Sequence, residues 1–251
     1  MHLLEMNWPV VDALPRETPI VFPVAALEQH GRHMPLFTDS LLCGEIVRRV
    51  AELPRFRDGI VFAPLQWLGN SDHHLDFPGT LSASPRVYLD LLNDAIGNFV
   101  EHGFTRIVFI NGHGGNDVPG KQAIFEMRQK YRAHKHLLLL FTTYWNLASP
   151  PTDGFVQKQM GHACEWETSM MLRIRPELVG GLSKVEDVPF GNSFEPASRG
   201  WIMPDRSVPG HVGDPRTATA EKGELLLSSF ADGVAKMLDR VIAWGGKSWD
   251  G

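Results

Sequence analysis

The sequence predicts an α/β fold with a mostly parallel central sheet and helices on both faces. Three observations predict it. Short apolar runs alternate with segments of helical period along the whole chain. The runs are almost continuously apolar, as strands buried on both faces are. Strand and helix also follow one another in the order that parallel connections require. With 251 residues the chain can bury a sizeable core, and residues 1–251 read as a single domain.

The elements follow in order. "IVFPVAAL", from Ile20, reads as the first strand, with Pro23 near an edge or bulge because it lacks an N–H. "TDSLLCGEIVRRVAEL" is a helix, since Leu42, Ile46 and Val50 recur four apart, and Thr38 or Asp39 is placed to cap it. "GIVFAPLQW" is a second strand. "SASPRVYLDLLNDAIGNFVEHGF" is a helix that starts at Ser84–Pro85 and ends at Gly103. "RIVFI" is a third strand, "VPGKQAIFEMRQKYRAH" an amphipathic helix and "HLLLLFTTYW" a fourth strand. "HACEWETSMMLRIRPEL" reads as a helix that stops before Pro176. From Gly180 to about Arg216 glycine and proline recur without a period, so a long ordered excursion is expected, either a pocket lid or a subunit contact. The stretch "ATAEKGELLLSSFADGVAKMLDRVIAW" returns to helical spacing through Leu226, Phe230, Val234, Met237 and Ile242.

Composition narrows the function. Hydrophobic residues are 43% and charged residues 21%, an ordinary globular balance. A net charge of -5 gives no general affinity for nucleic acid or anionic membrane. Two cysteines, Cys43 and Cys164, indicate no disulfide framework and point to a reducing compartment. The first residues lack the pattern of a signal peptide, and no apolar run approaches the roughly 20 residues that span a bilayer. A cytoplasmic protein is expected.

Four stretches carry chemistry. In "LEQHGRHMPLFTDS", Glu28 and His30 are two apart, so on an extended strand they share a side. Asp39 follows at the mouth of the next helix. Each alone reads as strand-end polarity or a cap; together they make a mixed N/O ligand set suited to Zn, Mn or Fe. In "NGHGGN", His113 follows the third strand at the same sheet edge. The turn lacks the Lys-Ser/Thr of a phosphate loop and is not GxGxxG. Asn111 and Asn116 are suited to hold the turn through side-chain bonds to backbone. In "GHACEWETS", a helix would place His162 and Glu165 as neighbours, with Glu167 roughly on the other side. In "WLGNSDHHLDFPGT", Ser71, His73 and His74 lie in a polar loop. The two imidazoles could be ligands, substrate donors or surface. Adjacent residues seldom face one metal, so His73 is read as a substrate contact.

Together these stretches resemble the creatininase family of creatinine amidohydrolase-like metallohydrolases. The resemblance rests on "EQHGRHMPLFTD", "GNSDHHLDFPGTL", "NGHGGN", "TYW", "HACEWETS" and "VGDPRTATAEKGE", in that order along the chain. It implies a three-layer α/β/α domain, two divalent ions per subunit and homo-oligomers, often hexamers. It implies that Glu28, His30, Asp39 and His113 are metal ligands, with Asp39 bridging. It implies that His162 assists proton transfer and that Ser71 and Trp145 line the substrate pocket. Two positions depart from creatininase proper. Gly115 stands where creatininase keeps a glutamate ligand, and Glu165 is the nearest candidate to replace it. Lys158 stands where a tryptophan stacks on creatinine, so the lysine would face an anionic group and creatinine is not the expected substrate.

The expected activity is hydrolysis of a C–N bond other than a peptide bond, in an amide, cyclic amide or formamide of a small molecule. A hydroxide activated by the two ions would attack the carbonyl, with Ser71 as a donor to the oxyanion. His162 would give a proton to the leaving nitrogen, and Glu167 would orient His162. Two alternatives stand beside this reading. One is hydrolysis of a C–C bond or lactone in a sugar-like ring. The other is a metal-binding protein without catalysis.

Overall fold

The computed structural model describes residues 1–150, 153–191, 194 and 196–246. Its elements are α1 (Trp8–Asp12), β1 (Ile20–Val24), α2 (Thr38–Ala51), β2 (Val61–Phe62), α3 (Pro85–Glu101), β3 (Arg106–Asn111), α4 (Asp117–Lys130), β4 (Leu138–Thr143), α5 (Glu165–Ile174), α6 (Met203–Arg206) and α7 (Ala220–Ala243). The four strands form one parallel sheet in the order β2-β1-β3-β4.

Helices cover both faces. On one side Val21, Val108 and Ile110 of the sheet pack with Leu42 and Ile46 of α2, Met170 of α5 and Phe230 of α7. On the other, Ile107, Phe109 and Leu139 pack with Leu92 and Ile96 of α3 and Met127 of α4. Residues 107 to 110 therefore alternate between the two cores, the period of two that a strand imposes. At about 25 cal/mol per Å² of apolar area removed from water, these two cores dominate the stability. The C-terminal helix runs as its spacing predicts, except that Ile242 is 40% exposed and Val241 takes the inward place.

Pro23 sits in an internal strand and is tolerated there for a local reason. Its nitrogen lies on the β2 side, and β2 pairs with β1 only through Ile20 and Val21. The N–H of Ala63 donates to the Val21 carbonyl, and pairing resumes when Gln66 donates to the Pro23 carbonyl. Pro64 and Leu65 bulge out between them, so no acceptor faces the nitrogen of Pro23. The same bulge cuts the predicted nine-residue second strand down to two residues.

Helix α5 is also shorter than its pattern suggests. It starts at Glu165, because Ala163 takes a left-handed φ of 49° and Cys164 is extended. His162 therefore precedes the helix and instead forms an isolated bridge with Val212. Among the described residues no helix is long and apolar enough to cross a membrane. The chain segments that leave β1, β3 and β4 at their C-terminal ends bring Glu28, His113 and Trp145 to one edge of the sheet, where parallel α/β sheets place their sites.

Candidate metal centre and cavity

Beyond β1 the chain folds into a tight loop. The N–H of Glu28 donates to the Leu36 carbonyl, and His30 forms bridges with Arg32 and Met34. Gly31 makes the reversal at φ 63°, where a Cβ would lie 2.9 Å from the His33 ring. The result buries the Glu28 and His30 side chains almost completely. Asp39 does not cap α2, contrary to expectation. The helix begins at Thr38, whose hydroxyl donates to the Pro35 carbonyl, and the carboxylate of Asp39 turns inward to the two histidines. Its place in the first turn also suits a negative charge, because the helix dipole is positive there.

The turn after β3 is fixed by asparagines. Asn111 accepts from the His113 N–H at 3.1 Å and donates to the His113 carbonyl at 2.6 Å. Asn116 donates to Asn111 and to the Ala25 carbonyl, and accepts from the Asn70 N–H. These bonds tie β1, β3 and the 70s loop together under the site.

Asp39 lies between two imidazoles. His30 Nε2 is 3.1 Å from Oδ1, and His113 Nδ1 is 2.9 Å from Oδ2. His30 Nε2 is also 3.9 Å from Glu167 Oε1, and His113 Nδ1 is 3.4 Å from Glu28 Oε1. Two ligand groups result, Glu28–Asp39–His113 and His30–Asp39–Glu167, each with its donor atoms within 4.8 Å of one another. The far nitrogen of each ring is already bonded. His30 Nδ1 donates to the Glu28 carbonyl at 3.1 Å, and His113 Nε2 to the Asn70 carbonyl at 2.8 Å. This fixes each ring and aims its other nitrogen at carboxylate oxygens. Glu28 Oε2 and Asp39 Oδ2 are buried with no hydrogen-bond donor. Buried acceptors facing buried acceptors fit divalent cations.

Without a cation, protons take that place. Burial raises the Glu28 carboxyl to about 7, although His113 pulls it down. Burial works against the charged forms of His30 and His113, but the carboxylates overcome it. His30 is raised well above its ordinary value, chiefly by Asp39, and His113 to about 9 by Glu28 and Asp39. Asp39, although buried, is held well below the usual carboxylate range by the two histidines.

A second set of imidazoles surrounds Glu28. His74 Nδ1 accepts from the Gln29 side chain at 2.7 Å and its Nε2 is 3.4 Å from Glu28 Oε1. His162 Nε2 donates to the Gln29 carbonyl at 2.9 Å and its Nδ1 is 3.6 Å from Glu28 Oε1. Burial, then His30 and His74, lowers the His162 pKa far below its ordinary value, so the ring is neutral at pH 7. Burial and the neighbouring His113 lower His73 to about 4. His73 and His74 lie with ring centroids 4.3 Å apart and join Glu28 in a third ligand group. Adjacent side chains therefore do converge here, because a 3-10 turn at Asp72–His74 brings both rings to Glu28.

Two carboxylates exchange the places expected of them. Glu165 is fully buried away from the ligand groups, where it accepts from Lys222 Nζ at 2.5 Å and from the Gln157 N–H at 2.9 Å. Glu167 faces His30, with its other oxygen held by the Ala163 N–H at 2.5 Å. The left-handed turn at Ala163 sets this phase, and no apolar period in the sequence reports it.

The cluster opens into a cavity of about 740 Å³. His73, Trp145 and His162 line it, as do Gly114, Gly115 and Val118 at the start of α4. Ser71 and Lys158 do not line it. The Ser71 hydroxyl is buried behind His113, 3.3 Å from Nε2, and Lys158 is exposed with its ammonium on the Phe155 carbonyl. The described part of the Gly180–Arg216 excursion supplies the outer wall, through Phe190, Arg199, Trp201, Met203 and Arg206. Residue types alone did not mark Gln29, Trp201 or Arg206 for the site. Gln29, between two candidate ligands in "EQH", carried the one available signal.

The family model for creatininase, creatinine amidohydrolase, matches residues 4–238. The creatinine amidohydrolase of Pseudomonas putida is 32% identical over 232 residues, covering 86% of each chain. The mycofactocin precursor peptide peptidase of Mycolicibacterium smegmatis is 32% identical over 233 residues, covering 90% of this chain and 85% of that one. Solved structures of a creatininase mutant in a Zn–Zn form and of creatininase in an Mn form superpose with TM-scores of 0.79 at 29% and 30% identity, covering 95% of this chain and 97% of theirs. The family model spans nearly the whole chain and the fold superposes on solved creatininases: the chain belongs to the creatininase family.

Proposed function

We propose that this chain is a metal-dependent hydrolase of an amide C–N bond in a small-molecule substrate. One observation carries the reading: Asp39 is common to two ligand groups, Glu28–Asp39–His113 and His30–Asp39–Glu167. Such sharing is the arrangement of a two-ion site. Zinc and manganese both suit this N/O donor set, and creatininase is known in forms with either. The relatives are named for an amidohydrolase and a peptide peptidase, so amide and peptide links both belong in the substrate range to be tested.

Bound divalent ions lower the pKa of water and draw charge from a carbonyl oxygen. The chain supplies the rest. His162 lies on the cavity wall beside Glu28, placed to pass a proton to the departing nitrogen. Gln29 holds both His162 and His74, which fixes the proton carrier against the ligand cluster. Glu167 in this reading holds a cation and does not orient His162. Trp145 forms an apolar wall of the cavity.

The test is a panel of lactams, formamides, short peptide amides and cyclic keto-sugars, run with metal-loaded and chelator-stripped protein. The expected result is metal-dependent amine release from one amide class. His162→Ala should lose that release while its metal content stays at the wild-type level. Cleavage of a keto-sugar without cleavage of any amide would overturn the C–N assignment. Complete inertness of the fully loaded protein would make it a metal-binding member without catalysis.

A further inference from the structure

Gly115 packs behind His113, against the nitrogen that holds the Asn70 carbonyl, and can carry no side chain there. A Cβ would lie 2.1 Å from the Asn70 carbonyl oxygen, 2.5 Å from His113 Nε2 and 2.8 Å from His73 Cε1. The space beside Glu28 and His113 is filled by the His73 ring. That ring lies nearly parallel to His113, at 18° and 5.8 Å between centroids. Trp201 meets it edge-on at 4.9 Å, so it is held on both sides. His73 is partly buried on the cavity wall, and neither ring nitrogen has a hydrogen-bond partner among the described residues. The buried Oε2 of Glu28 likewise has no donor. His74 is differently placed: its Nδ1 takes the Gln29 amide, which leaves its Nε2–H as a donor toward Glu28.

We infer that His73 is a protein ligand to the divalent cation on the Glu28–His113 side, its ring seated between His113 and Trp201. The inference rests on the metal-centre reading above and extends it. An unpartnered imidazole beside an unpartnered carboxylate oxygen, with donor atoms within 4.8 Å, is an N/O pair that zinc or manganese satisfies. Gly115 then has a positive role, since any larger residue would push His73 or His113 aside.

The test uses the whole protein and the metal alone as probe. Zinc is titrated by calorimetry, bound metal is counted by elemental analysis, and the visible spectrum of the cobalt(II)-substituted protein reports coordination. His73→Ala should bind the affected ion about tenfold or more weakly and alter the cobalt spectrum. His73→Phe keeps the ring between Trp201 and His113 without a donor atom, so it should behave as the alanine variant does. Gly115→Ala should weaken the same ion. Wild-type zinc affinity and an unchanged cobalt spectrum in both His73 variants, with one ion lost in His113→Ala, would overturn the His73 assignment and leave the metal centre standing. Full zinc occupancy in His113→Ala would instead overturn the metal centre, and the inference with it.

Discussion

Asp39 Oδ2 and His113 Nδ1 lie 2.9 Å apart in a buried site, yet Oδ2 has no hydrogen-bond partner. The two atoms are close without being aligned as donor and acceptor. His113 has its other nitrogen on the Asn70 carbonyl. What remains is a lone pair and a carboxylate oxygen directed at common space, which a cation satisfies as well as a proton does.

Removing that lone pair is the most direct check. His113→Ala should lower the affinity for one ion by about 100-fold or more, because even groups behind a ligand contribute 10–100-fold. Activity should fall with it. Elemental analysis after dialysis measures this, and an undiminished metal content would exclude His113 from the ligand set.

Protons and metal should compete. Glu28 at about 7 and His113 at about 9 in the metal-free protein both have to lose a proton to ligate. Metal uptake at pH 7 should therefore release protons, and apparent affinity should climb as pH rises through about 7 to 9. The metal-free fold should respond in the opposite sense. His113 is raised above its ordinary 6.5, so its stabilisation is fully present below 6.5 and is lost as pH rises through about 9. The Glu28 carboxyl also holds a proton more tightly in the fold, so stability falls between 4.5 and about 7. Asp39, held low, contributes the reverse and weakens the fold only in strong acid. Melting temperatures with chelator should drop from about pH 6.5 to 9; below that range the lowered His33, His73, His74 and His162, which take up protons only on unfolding, act in the opposite sense to Glu28. A flat profile would argue against this proton-loaded cluster.

What the sequence disclosed follows from which signals are periodic. The parallel sheet was legible because apolar runs alternate with helical spacing, and both cores use those residues. The juxtaposition of Glu28, His30, Asp39 and His113 was legible because each follows or opens a recognisable element at one sheet edge. The phase of Glu165 and Glu167 was not, since it depends on a single left-handed residue, Ala163. Pairing His162 with Glu165 assumed a helix that begins three residues later than His162. The inward turn of Asp39 was hidden behind its ordinary fitness as a cap. His73 was hidden by the general rule that neighbours diverge, which the 3-10 turn at Asp72–His74 breaks.

The two glutamates of α5 should therefore separate stability from metal binding. Glu165 is buried against Lys222, whose side chain is 18% exposed. Glu165→Ala leaves that ammonium with only the Thr217 carbonyl and no counter-charge, and the Gln157 N–H without its acceptor, a loss of about 3 kcal/mol. Urea unfolding should show it, with metal content unchanged. Glu167→Ala should instead lower binding of the ion beside His30, and it leaves the Lys222–Glu165 pair intact. Equal metal loss in both variants would contradict the two separate roles.

Arg206 lines the cavity with its guanidinium 4.8 Å from the Trp201 ring centroid, and Arg199 lines it too. The carboxylates that line the cavity are Glu28, Asp39 and Glu167, all in the ligand cluster. Burial lowers the pKa of Arg206, and no ion pair holds it among the described residues. The anion contact expected of Lys158 is thus assigned to Arg206, which lies over Trp201 next to His73 on the cavity wall. A substrate with a carboxylate remote from its scissile amide would place that charge on the guanidinium. One charge-assisted hydrogen bond contributes about 1.5–3 kcal/mol, so Arg206→Gln should raise KM for an acidic amide about tenfold or more. An uncharged amide of the same length should be unaffected, and kcat for both should hold. Equal KM changes for the acidic and the uncharged amide would show that Arg206 shapes the wall without reading charge.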